Sequence, residues 1–106
     1  MTVDAARVGG SVTISARAYQ RVAQAVLADE LRVAPREVRA RVRDDRGGLA
    51  LELESAIPEG GAPVAIRAAQ ARQRTAERTT DLTGARIADV RLRVTHLIAS
   101  EHRRLS

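Results

Sequence analysis

Thr79-Thr80-Asp81-Leu82-Thr83-Gly84-Ala85-Arg86-Ile87-Ala88-Asp89-Val90-Arg91-Leu92-Arg93-Val94-Thr95 is the stretch that decides the fold. Up to Leu82 the apolar and small residues recur at helical spacing, and from Ile87 onward apolar and charged residues alternate. Gly84 stands directly after the last helical turn, where a left-handed residue usually closes the helix and glycine adopts that conformation without steric cost. The side-chain period thus changes from 3.6 to 2 within a few residues, which specifies a helix-to-strand corner.

Upstream of this corner the pattern predicts a helix from about Val64 to Leu82. Val64, Ala68, Ala71, Thr75, Thr79 and Leu82 share one side, and Arg67, Gln70, Arg74, Glu77, Arg78 and Asp81 lie outside with a lone Ile66. Pro58-Glu-Gly-Gly-Ala-Pro63 reads as a loop before it. Further upstream, Val38-Arg-Ala-Arg-Val42-Arg and Leu49-Ala-Leu-Glu-Leu53-Glu alternate around Asp44-Asp-Arg-Gly-Gly48, the signature of a hairpin. A register that keeps the apolar residues together sets Arg39 and Arg41 on the face of Glu52 and Glu54. Opposite charges across paired strands favour that pairing by about 0.2–1 kcal/mol each.

Ahead of the hairpin, a first helix is predicted from Ala16 to about Leu31. Tyr19, Val22, Ala23, Val26 and Leu27 fall on one face, with Arg17, Arg21, Gln24, Ala28 and Arg32 on the other, and Ser15 is a fair N-cap. Pro35 ends the unit. Gly10-Ser-Val12-Thr-Ile14 reads as a short strand, and the last strand as about Arg86 to Thr95. The expectation is a flexible leader at 1–9, one domain at 10–97 and a flexible tail at 98–106. The fold class expected is α/β of the α+β type. It is a two-layer sandwich in the order β-α-β-β-α-β, one sheet of about four strands with two helices on one face.

The composition narrows the function classes. The chain has 106 residues, 44% of them apolar, which suits a single folded domain. Tyr19 is the only aromatic, so the core must be built from Val, Leu, Ile and Ala, which bury less area than aromatics, and an oligomer or a protein partner is expected. There is no Cys, hence no disulfide or thiolate chemistry. No apolar run approaches the length of a membrane span, and the first ten residues do not read as a secretory signal, so the expected address is the cytoplasm. All eighteen basic residues are Arg, with a net charge of +5. GC-rich coding explains that usage as readily as binding to a polyanion does, so the placement of the arginines has to decide.

The opening Gly10-Ser-Val-Thr-Ile-Ser15 with its Ala-rich helix, the Arg/Glu hairpin, and Leu82-Thr-Gly84-x-x-Ile87-x-x-Val90-x-Leu92-x-Val94 resemble the bacterial alkaline shock protein family, also called the envelope stress response family. The likeness spans roughly residues 10–97 and departs from the family at Thr75 and Thr79, where larger aliphatic residues are usual. It implies a non-enzymatic cytoplasmic scaffold linked to cell-envelope homeostasis. The implied partner is a small membrane protein that holds the chain at the inner face of the membrane, or a paralogue, with homo-oligomerisation. It offers no catalytic residues to carry over, and the residues themselves point to no cofactor and no metal.

The residues themselves offer two arginine groups as partner-binding candidates. Arg39, Arg41, Arg91 and Arg93, with Arg43, should stand on the sheet face opposite the core, against Glu52, Glu54 and Asp89. Arg67, Arg74 and Arg78 should line the outer side of the second helix. A solvated sheet face whose charges prevent aggregation is the plainer account of the first group. Nucleic acid is the alternative partner, but sheet-borne RNA readers stack bases on aromatics, and this chain has none to offer there. His96 and His102 lack a third metal ligand at a useful spacing, Asp44-Asp45 suit a turn, and no nucleophile, base and orienting group assemble into a catalytic set.

Overall fold

The computed structural model describes residues 15–99. In chain order the elements are α1 (Ala16–Leu31), a 3-10 turn (Pro35–Glu37), β1 (Val38–Asp45), β2 (Gly48–Pro58), α2 (Val64–Thr83) and β3 (Ile87–Ile98). The fold is α+β, with two helices over a mixed three-stranded sheet in the order β1-β2-β3. The strand expected at Gly10–Ile14 lies outside the described residues, so the sheet described has three strands where about four were expected.

Each element has a local cause. Ser15 caps α1 by accepting a hydrogen bond from the Ala18 N–H at 3.2 Å. At the other end Arg32 is left-handed, with φ 59° and ψ 47°. Its N–H reaches the Asp29 carbonyl and the Val33 N–H reaches that of Ala28, the paired closure of a Schellman cap. Glycine is usual there, because a Cβ costs about 1–2 kcal/mol in that conformation. Gln24 sits on the side of α1 expected to face outward, yet its amide donates to the Pro35 and Val38 carbonyls at 2.8 and 3.1 Å, tying the helix to the start of β1.

The hairpin pairs antiparallel with Arg39 opposite Glu54 and Arg41 opposite Glu52, the register the charge pattern favours. The loop Arg46-Gly47 has positive φ at both residues, as a two-residue type I′ turn requires. The Leu82-Thr83-Gly84 corner forms as read. Gly84 is left-handed at φ 76° and donates to the Thr80 carbonyl at 2.7 Å. β3 then returns parallel to β2 and runs to Ile98, three residues past the expected Thr95, ending opposite Pro58.

Leu27 of α1 and Leu51, Leu53 and Ile57 of β2 anchor the core, joined by Ala23, Ala28, Leu31, Val38 and Ala71. Each large side chain buried in full contributes about 1.5–3 kcal/mol. Ala28 was expected outside but is buried, because α1 packs against α2 as well as the sheet and its buried arc is wider than one stripe. Leu82 was expected inside but is 65% exposed. It falls in the last turn of α2, where neighbours remain on one side only. Thr75 and Thr79 are fully buried, as their place on the inner face of α2 requires.

Candidate functional site: the arginine face of the sheet

Alternation along each strand sends one set of side chains to the helices and the other to solvent. Because β2 is central, its two glutamates acquire a neighbour on each side. Arg39, Glu54 and Arg93 form one cross-strand row, and Arg41, Glu52 and Arg91 form the next. A third row, Arg43, Ala50 and Asp89, lies beside them. Five arginines thus face three carboxylates, a surplus of two positive charges.

The ion pairs are unevenly shared. Arg43 Nε lies 3.2 Å from Glu52 Oε2, a diagonal contact, while Arg41 stands directly opposite that glutamate. Arg93 approaches Glu54 at 3.9 Å, and Arg91 turns to Asp89 on its own strand at 3.3 Å. Among the described residues, Arg39 and Arg41 make no ion pair. Their guanidinium groups keep every N–H donor for a ligand. The four candidate arginines and the two glutamates border one shallow groove of about 580 Å³ with Leu53 and Leu92 along its floor. Guanidinium and carboxylate groups in such a groove can bind and orient charged ligands. It contains no hydroxyl, thiol or imidazole to act as a nucleophile.

Arg67, Arg74 and Arg78 lie in the other layer, so the seven candidates form two separate groups. Arg78 bridges the helices, its Nη1 lying 2.8 Å from both Asp29 Oδ2 and Glu30 Oε2. These hydrogen bonds, that to Glu30 first, raise its pKa above the ordinary arginine value. Arg74 stands 4.0 Å from Glu30. Arg67 and Arg74 border a smaller cleft with Arg32, which sequence periodicity had placed on the outer face of the first helix. The sequence signal for Arg32 was its position, directly after the last helical turn where glycine is usual.

Among the described residues no three His, Asp or Glu side chains gather in a way that could hold a metal ion, and no helix is long and apolar enough to cross a membrane. His96 lies on β3 beside Thr95 at 3.2 Å, and His102 lies outside the described residues. Searches among protein families, curated proteins and solved structures find no match for this chain.

Proposed function

We propose that this chain is a non-enzymatic docking module whose arginine-rich sheet face receives an acidic segment of a protein partner. The observation that carries the proposal is the pair of Arg–Glu–Arg rows in which Arg39 and Arg41 have no ion partner among the described residues. Residues two apart on a strand are roughly 6.6 Å apart. That is the repeat of acidic side chains at alternate positions of an extended segment, so such a segment can engage successive rows. The central glutamates give the face a register, because a ligand must place its acids over the arginine flanks and avoid the middle strand.

The resemblance to the alkaline shock family extends the proposal. The partner would be the acidic cytoplasmic part of a small membrane protein, or a paralogue, and the chain a self-associating cytoplasmic scaffold at the inner face of the membrane that serves envelope homeostasis. A nucleic-acid reading draws on the same five arginines, but no aromatic stands on the face to stack a base.

Fluorescence anisotropy separates the two. A labelled peptide alternating Glu with Thr is compared with a single-stranded RNA of equal charge, using the native chain and an Arg39→Glu/Arg41→Glu variant. The peptide is expected to bind and to lose at least about tenfold in affinity in the variant, since each lost charge-assisted hydrogen bond is worth about 1.5–3 kcal/mol. Tighter RNA binding with a steep salt dependence, abolished by the same variant, would overturn the docking reading in favour of the nucleic-acid one.

A further inference from the structure

The cleft at the end of α1 gathers a second group of arginines, apart from the sheet face. Arg32 adopts a left-handed conformation there, disfavoured for any residue with a Cβ. The cap is made entirely by backbone groups, the N–H of Arg32 and that of Val33, and a glycine would make it equally well. What arginine adds is a side chain, and that side chain borders a cleft of about 300 Å³ between the end of α1 and the first half of α2. Arg67 and Arg74 stand around the same cleft, over Leu31 and Ala71.

The charges in this cleft do not balance. Glu30 is the one carboxylate at its border; Arg78 holds its Oε2 at 2.8 Å, and Arg74 stands 4.0 Å from its Oε1. Among the described residues Arg32 and Arg67 make no ion pair. Counting Arg32, Arg67, Arg74 and Arg78 against Asp29 and Glu30 leaves two positive charges over. Three guanidinium groups from two elements suit an anion with oxygens pointing in three directions.

We infer that the Arg32, Arg67 and Arg74 cleft binds a tetrahedral dianion of the phosphate-monoester class. The site is separate from the sheet face and stands or falls without it. A left-handed arginine where glycine would serve is a local strain, and such an outlier is the second observation behind this assignment.

Phenyl phosphate is the probe, titrated at constant ionic strength into the native chain, Arg32→Gly and Arg67→Gln, with melting temperature and arginine Nε–H NMR shifts as readouts. Saturable binding is expected, weakened by about tenfold or more in Arg67→Gln. Arg32→Gly is expected to melt higher than the native chain without ligand yet bind about tenfold more weakly. A purely structural role would not separate those two changes. Vesicles of phosphatidylcholine with phosphatidic acid provide the second arm. Sedimentation with these vesicles, lost in Arg32→Gly, assigns the phosphate to a lipid headgroup, and phenyl phosphate binding without vesicle binding assigns it to a soluble or protein-borne phosphate. The inference is overturned if neither probe binds beyond the effect of equivalent chloride, or if Arg32→Gly and Arg67→Gln bind as the native chain does.

Discussion

The β1–β2 turn shows how single residues set the geometry on which the sheet face depends. Arg46, at φ 49°, and Gly47, at φ 81°, complete a type I′ turn, for which Asn-Gly is the favoured pair. Asn tolerates the left-handed region better than other residues with a Cβ. Arg46→Asn is therefore expected to stabilise the chain by about 0.5–1 kcal/mol in urea denaturation. The Arg46 carbonyl still accepts from Arg86 Nη2, since that contact uses the backbone. Gly48 differs in kind. A Cβ there would stand 2.7 Å from the backbone oxygen of Arg86, the same oxygen that accepts from the Leu49 N–H. Gly48→Ala is expected to cost about 1–3 kcal/mol, because backbone rather than a flexible side chain must give way. An unchanged denaturation midpoint in that variant would show that the β2–β3 approach is looser than described.

The two helices are held to the sheet and to each other by different means. α1 supplies Leu27 and Leu31 to the core, whereas the fully inward positions of α2 are Ala71, Thr75 and Thr79. Among the described residues, the buried Thr75 and Thr79 hydroxyls have no hydrogen-bond partner. An unpaired buried hydroxyl costs roughly 1–3 kcal/mol, and valine has the same shape without that penalty. Thr75→Val is expected to raise the melting temperature by several degrees, and a lowered one would mean that the hydroxyl has a partner. What fastens α2 sideways is Arg78. Its raised pKa means that its contribution is present throughout the working pH range and is lost only as strongly alkaline pH passes that raised value. Arg78→Gln leaves Asp29 and Glu30 without their shared cation. Its melting temperature is expected to fall below that of the native chain in dilute buffer. The gap should narrow in about 1 M NaCl, where the screening length is about 3 Å; a gap independent of salt would assign the loss to packing.

At the scale of the whole molecule, the two layers separate the arginines into two surfaces with different chemistry. The sheet layer holds them in ladders that alternate with glutamate, which suits an extended acidic ligand. The helix layer gathers them around a cleft, which suits a compact anion. The sequence alone placed the two helices and the three described strands, and most of the faces they present. The Leu82-Thr83-Gly84 corner, a turn within Asp44–Gly48 and the shared face of Arg39 and Arg41 with Glu52 and Glu54 all follow from period, turn chemistry and charge read along the chain. The tertiary structure alone decided who stands next to whom across the chain. The parallel seating of β3 on β2 turned two Arg–Glu pairs into Arg–Glu–Arg rows, and helix packing drew Ala28 inward and left Leu82 in water. The approach of α2 to the end of α1 committed Arg78 to Asp29 and Glu30 and placed Arg32 beside Arg67 and Arg74. The physical reason is range. Periodicity reports which side of an element turns from water, but the neighbour it meets there is chosen by packing between segments distant in sequence, to which no local pattern refers.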